Sequence, residues 1–242
     1  MEYAKKRVNL ILSSRNTNKL EHLNGEINDP SRVRVLPLDL TKPDDFPDRV
    51  RQAWDFFEGV DILIHNGGIS QRSLAAETKM EVDRLLFETN YFGTVGLTKC
   101  ILPYFKQRGS GHFVVVTSVV GKFGTPLRSS YSGSKHALHG FFDSLRAELY
   151  RENIKVTLVC PGFVNTNVSI NALTADGTRQ EKMDSATQKG LSPEDFAKKA
   201  IKAISRQKRE TVIGGVPEKF AVWVKRFLPG LHARLIRTAS VT

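Results

Sequence analysis

Short apolar runs alternate with longer stretches of helical periodicity along this chain. The runs Val8–Leu12, Val33–Leu38, Asp61–His65, Phe113–Thr117, Lys155–Val159 and Thr211–Ile213 are rich in Val, Ile and Leu. Runs of that kind read as strands covered on both faces. Between them the pattern predicts helices over Thr17–Ile27, Asp45–Phe57, Lys79–Lys106, Ser129–Arg151 and Pro193–Arg206. Ser192-Pro193-Glu194 is a good helix start, with Ser as N-cap and Pro at the first helical position. Met1–Arg7 reads as the last turn of a helix. Strand and helix in alternation imply a parallel sheet with helices on both faces, a doubly wound Rossmann-like α/β fold. No repeat, linker or low-complexity segment divides the chain, so 1–242 is expected to form one domain.

At 242 residues, 40% hydrophobic and 25% charged, the chain can bury a full core. No apolar stretch is long enough to span a membrane, and no secretory pattern is present. Cys100 and Cys160 lie in apolar contexts without metal-type spacing, which predicts two reduced core thiols, a cytoplasmic type of environment and no metal. The net charge of +11 raises the question of an anionic partner. The basic residues are spread over helix faces, however, and no basic helix is interleaved with stacking aromatics, so nucleic acid is not expected. The tail from Pro217 to Thr238 mixes Phe220, Val224, Phe227, Leu228, Leu231 and Leu235 with several Lys and Arg. That mixture fits peripheral contact with a membrane surface or packing on the body or a partner subunit.

The most informative stretch is Ser129-Ser130-Tyr131-Ser132-Gly133-Ser134-Lys135. Tyr131 and Lys135 are four apart and share one helix face. A phenol, with a pKa of about 10, is a poor base at neutral pH. A nearby ammonium favours the phenolate, and a tyrosine tuned this way can exchange a proton with a carbonyl or alcohol oxygen. An isolated Tyr/Lys pair is weak evidence, but this one has company. Ser118 lies just past the Phe113–Thr117 strand, where open α/β sheets place their ligands, and its hydroxyl can bond a substrate oxygen. Asn90 stands inside a long helical pattern, against propensity. It is either a kink or packing residue or a polar anchor for a water chain to Lys135. Polar or glycine punctuation ends successive strands at Asp39-Leu40, at Asn66-Gly67-Gly68 and at Pro161-Gly162-Phe163-Val164-Asn165-Thr166. Each alone is a turn or cap signal; together they outline a crevice suited to a dinucleotide.

This set, in this order and spacing, resembles the short-chain dehydrogenase/reductase family over nearly the whole chain. The stretches Asn90–Pro103, Ser129–Leu149 and Ser169–Thr178 are similar to its dehydrogenase/reductase member 7 branch, especially the B type. The resemblance implies an oxidoreductase that interconverts a hydrophobic alcohol and a ketone or aldehyde, of the kind found in lipid or steroid metabolism. It implies Tyr131 as general acid/base, Lys135 as the group that lowers its pKa and holds the nicotinamide ribose, Ser118 on the substrate oxygen and Asn90 on a relay water. Asp39 and Leu40 would flank the adenine, Asn66 and Gly67 the adenine-side ribose, and Pro161, Gly162, Val164 and Thr166 the nicotinamide. Ser14 and Arg15 stand after the family's second strand, where an acidic residue would select NAD. A guanidinium there matches the 2′-phosphate, so NADP is expected over NAD. The long helices Lys79–Lys106 and Ser129–Arg151 imply a homodimer. The branch carries an N-terminal membrane anchor, which implies endoplasmic-reticulum association for a longer form.

The family also opens with a strand, a Gly-rich turn and a helix that cradle the pyrophosphate, and residues 1–20 do not have that form. Gly109–Gly111 joins a helix to a strand, the wrong order for such a cradle. The expectation is a sheet lacking its central strand, with unpaired backbone between its neighbours at roughly 1–3 kcal/mol per buried orphan. Either a front segment is missing from this sequence or the chain is a shortened form that holds dinucleotide weakly and turns over poorly. The route by which a shortened chain closes the gap is pairing of the family's second and fourth strands.

Overall fold

A computed structural model describes residues 1–238 of the chain. Its elements run β1 (Leu10–Leu12), α1 (Thr17–Ile27), β2 (Val33–Val35), α2 (Phe46–Asp55), β3 (Ile62–His65), α3 (Met80–Phe87), α4 (Gly93–Arg108) and β4 (Gly111–Val116). They continue through α5 (Ser129–Glu148), β5 (Ile154–Pro161), α6 (Ser185–Gln188), α7 (Pro193–Ser205), β6 (Glu210–Ile213), α8 (Val216–Phe227) and α9 (Pro229–Leu235). Every strand pairing is parallel. In β4, Phe113 and Val115 face one layer and Val114 the other, because side chains alternate along a strand. Phe113 and Val115 join Phe105 of α4 and Phe142 of α5 in the main core, whereas Val114 packs with Val159 and with Ala200 and Ile204 of α7. Helices therefore cover both faces, and the doubly wound α/β architecture holds.

The sheet comes in two pieces, a β2–β1 pair and a four-strand β3–β4–β5–β6 sheet. Among the described residues the outer edge of β1 and the outer edge of β3 have no strand partner, so the two do not close on each other. Both edges open into one cavity of about 830 Å³, lined by Leu10, Ile11 and Leu12 on one side and Ile62 and Ile64 on the other. Ile62 and Ile64 are consequently 37% and 38% exposed, although the apolar run predicted burial on both faces. The same opening shortens two predicted strands: Val8–Leu12 keeps three strand residues and Val33–Leu38 keeps Val33–Val35.

Two helical predictions also change. Met1–Arg7 forms a single 3₁₀ turn over Ala4–Lys6 that stops where Arg7 turns left-handed, at φ 54°. Lys79–Lys106 is interrupted by a π turn over Glu88–Phe92 between α3 and α4. The wider turn brings Asn90 fully inside, where its amide clamps the backbone of Ile69 on both sides, accepting from the N–H at 2.8 Å and donating to the carbonyl at 3.0 Å. The kink and packing role weighed for Asn90 is thus realised. Gly93, just after the kink, sits on Leu40: a Cβ there would lie 2.2 Å from the Leu40 carbonyl oxygen. Only glycine lets α4 approach that turn so closely. Cys100 and Cys160 are both free thiols, Cys160 fully buried.

Candidate active site

Helix α5 starts at Ser129 without a side-chain cap of its own. The first-turn amides of a helix need acceptors, and here they come from outside the helix. The buried Gln71, on the loop after β3, accepts from the Ser130 N–H at 3.0 Å and from the Tyr131 N–H at 3.3 Å. Its own amide nitrogen donates to the Ser73, Thr78 and Ser129 hydroxyls, so it has little freedom to turn. This cap fixes where α5 begins and aims Tyr131 at the C-terminal ends of β4 and β5. Ser118, which follows β4, accepts from the Val120 N–H at 3.3 Å and presents its hydroxyl to the same place. Tyr131 and Ser118 line a cavity of about 420 Å³ whose other walls are mainly apolar, among them Val119, Phe123, Phe163, Val168 and Ala221.

The electrostatics differ from the simple Tyr/Lys picture. Burial raises the Tyr131 hydroxyl above its ordinary range, while the Arg128 charge, a hydrogen bond with Ser118 and the Arg72 charge pull it back. Lys135 is close by. Its ammonium stands 5.9 Å from the Tyr131 ring centre and donates to the Val116 carbonyl at 3.1 Å. Burial itself drives the Lys135 pKa down to about 8. The charges that draw the phenol down in this arrangement are those of Arg128 and Arg72, with the Lys135 ammonium also over its ring. Arg72 grips the buried Asp184 carboxylate through Nε at 2.8 Å and through Nη2, and Arg128 approaches the same carboxylate at 3.6 Å. Arg128 also lies over the Phe163 ring, 5.5 Å from its centre. Burial, with Arg72 beside it, lowers Arg128 to about 10, which still leaves it charged at neutral pH.

Lys135 stands beside Gly68 of the larger cavity. A Cβ built on Gly68 would lie 2.9 Å from the Asn90 Oδ1 and 3.5 Å from the Lys135 Nζ, and Gly68 lines the 830 Å³ cavity. That cavity gathers Ser14, Arg15, Asp39, Leu40, Asn66 and Gly67. Asp39 accepts from the Thr41 N–H at 3.0 Å and from its hydroxyl at 2.9 Å. Burial would raise the Asp39 carboxyl, but the Thr41 bonds and the nearby Arg15 and Lys42 charges hold it below its ordinary value. Ser14 bonds the Asn16 N–H at 3.2 Å, shaping the turn into α1. Of the β5 end, Gly162 and Val164 line the smaller cavity beside Tyr131. Pro161 closes β5. Thr166 is exposed and outside both cavities, its hydroxyl on the Val164 carbonyl at 3.4 Å.

The comparisons with known proteins agree with this geometry. The short chain dehydrogenase family model matches residues 1–176. The chain belongs to the short-chain dehydrogenase/reductase family. A Drosophila melanogaster "Dehydrogenase/reductase SDR family protein 7-like" is 41% identical over 237 residues, 96% of this chain and 73% of that protein. The Mus musculus "Dehydrogenase/reductase SDR family member 7B" is 39% identical over 236 residues, with the same coverage. Among solved structures, a short chain dehydrogenase/reductase from Burkholderia phymatum in complex with NAD superposes with a TM-score of 0.81 at 19% identity, covering all of this chain and 90% of that one. This short-chain dehydrogenase/reductase is accordingly an oxidoreductase acting on CH–OH groups of a small-molecule substrate, with the fold of its structural neighbours. No helix among its described residues is long and apolar enough to cross a membrane.

Gln71, Arg72, Arg128 and Asp184 are site residues that the sequence pattern does not mark. Arg72 and Asp184 are 112 positions apart, and Gln71 caps a helix 59 positions later. The one local signal is Arg128 itself, a charged residue directly ahead of the Ser-rich helix start.

Proposed function

We propose that this protein interconverts a hydrophobic alcohol and its ketone or aldehyde with NADP, and that Tyr131 passes the proton. The observation that carries the reading is the placement of the Tyr131 and Ser118 hydroxyls together on the wall of an apolar cavity. A substrate oxygen bonded by both would have a proton donor and a second hydroxyl to orient it. Lys135 and Asn90 stand beside Gly68, which lines the second cavity. Its residues fit a dinucleotide. Gly67 and Gly68 leave no room for a side chain beside Leu40 and Asn90, which suits close approach of a ligand to the backbone. Lys135 would hold the ribose next to the nicotinamide, Asn66 and Asp39 would border the adenosine half, and Arg15 would meet a 2′-phosphate. The bound nucleotide supplies hydride; the protein supplies orientation, exclusion of water and the proton at the Tyr131 oxygen. Gly162 and Val164 would border the nicotinamide where it meets the smaller cavity.

The open edges of β1 and β3 favour a second reading, in which the proton-transfer set is intact but dinucleotide is held weakly. NADPH fluorescence titration of the chain separates the two, since tight binding refutes the weak-binding form. Tyr131→Phe tests the acid/base role. Turnover should fall by about 10²–10⁴-fold, and a variant with full turnover would overturn the assignment.

A further inference from the structure

The outer face of the last two helices is apolar and uncovered. In α8, Val216, Phe220, Trp223 and Phe227 fall at i, i+4, i+7 and i+11, which is one stripe on a helix of 3.6 residues per turn. They are 80%, 56%, 51% and 62% exposed. The rings run along the stripe in contact: Phe220 and Trp223 stack with centroids 6.2 Å apart, and Trp223 and Phe227 stand 5.3 Å apart. Leu231 and Leu235 of α9 are also about half exposed. None of these side chains is needed to hold the helices down. The opposite side does that, through the buried Val224 and through Ala221, Val222 and Ile236 packed against Val119, Val120 and Phe123.

Charge decides what would cover the stripe. From Val216 to Arg237 there are five basic residues, Lys219, Lys225, Arg226, Arg234 and Arg237, against the single acid Glu218. Glu218 is turned inward and accepts from the Phe163 N–H, which leaves the outer rim positive. Exposed aromatic patches of this kind mark a binding surface. An aromatic stripe inside a cationic rim matches the boundary of an anionic bilayer, where ring faces sit at the acyl edge and Lys and Arg reach head-group phosphates. We propose that the α8–α9 face docks on an anionic lipid bilayer, with Phe220, Trp223 and Phe227 inserted and Lys219 and Arg226 on the phosphates. Pro217 and Ala221 on the inner side of α8, with Ile236 just after α9, line the cavity that holds Tyr131. Docking would therefore place the substrate cavity against the lipid and favour an alcohol or ketone dissolved there. That consequence for the substrate rests on the oxidoreductase reading; the docking does not.

The test is co-sedimentation of the 242-residue chain with phosphatidylcholine vesicles, with and without phosphatidylserine, together with tryptophan emission. The second tryptophan, Trp54, is packed against Tyr104 at 5.0 Å, so a blue shift on binding reports Trp223. Binding to the phosphatidylserine vesicles, a blue shift and loss of binding at high salt are expected. Lys219→Gln/Arg226→Gln should weaken binding about fivefold per charge removed. Phe220→Ser/Trp223→Ser/Phe227→Ser should abolish binding without lowering the melting temperature. The proposal is overturned if the chain stays free at low salt, if binding survives the triple substitution, or if light scattering shows a dimer that the triple substitution splits. Vesicle binding without any carbonyl turnover would sink the oxidoreductase reading and leave the docking standing.

Discussion

Replacing Lys135 by Met should make the protein more stable and inactive. The amine is 5% exposed in the wild type, and burial takes its pKa from 10.5 to about 8. A drop of that size corresponds to about 3 kcal/mol of unfavourable free energy whenever the group is charged in both folded and unfolded chains. That condition is met at every pH below about 8. Methionine removes the charge, fills similar volume and gives up the hydrogen bond to Val116, worth about 1 kcal/mol. The balance is a gain of about 2 kcal/mol at pH 7, which for a chain of this size is a melting temperature raised by about 4–8 °C. The pH dependence fixes the cause. Between pH 8 and 10.5 the unfolded chain binds the proton that the folded chain has released, so wild-type stability rises through that window relative to the variant. The advantage of Lys135→Met should shrink steadily, vanish near pH 10 and become a small deficit above it, where the lost hydrogen bond is no longer offset. Thermal unfolding followed by circular dichroism at pH 7, 8.5 and 10 measures it. A variant that is less stable at pH 7, or an advantage that does not change with pH, would show that Lys135 is not held at a desolvation cost. In the same preparation carbonyl turnover should be lost.

Three further outcomes follow from the structure. Asp184→Asn leaves the Arg72 and Arg128 guanidiniums facing each other without their shared carboxylate, and urea unfolding should show a loss of about 3–5 kcal/mol; a loss under 1 kcal/mol would mean the network is dispensable. Arg15→Gln should weaken NADPH binding about tenfold, the loss of a charged hydrogen bond at an exposed site, and leave NADH unaffected; an equal effect on both would remove Arg15 from the 2′-phosphate. Among the first 45 residues only Leu20, Val33 and Leu36 are buried, so amides of β1 and β2 should exchange hydrogen faster than those of β4 and β5. Equal protection by mass spectrometry would show that the two sheets form one cooperative unit.

What the sequence made legible is local or ordered along the chain. The strand–helix alternation, the Tyr131/Lys135 turn of helix, the Ser118 position after a strand and the turns at Asn66 and Asp39 are all readable within a few residues. The fold class and family rest on those. What stayed hidden depends on contacts across the fold. Asn90 was visible as an unfavourable helix residue, but its grip on Ile69 and the π turn it occupies need β3 in place. Gln71 looks like any polar loop residue until α5 begins beside it. The Arg72–Asp184 pair spans loops with no shared pattern. The Arg128 charge on Tyr131 stayed hidden for the same reason: spacing puts Lys135 on the right face, where its amine also reaches the Val116 carbonyl, but Arg128 enters from the preceding loop.

The electrostatics around Tyr131 bear on the direction of the chemistry proposed for it. A phenol raised by burial is neutral at physiological pH and ready to give its proton, which is what reduction of a carbonyl requires; oxidation would need the phenolate first. The three groups that pull the Tyr131 pKa back, Arg128, Ser118 and Arg72, act more strongly on the phenolate than on the phenol. With Tyr131 in the acid/base role proposed above, they would stabilise the state that exists after the proton has left for the substrate oxygen. Two opposed demands on one hydroxyl are met by different parts of the wall: apolar burial keeps it protonated before the reaction, and the arginines with the serine receive the charge as it forms. Asp184 keeps the two guanidiniums together in that wall, since like charges in a buried site would otherwise separate. In the role proposed for Tyr131, the proton-donating power of this site would then depend on a carboxylate that does not itself line the cavity, 53 residues beyond that tyrosine in the sequence.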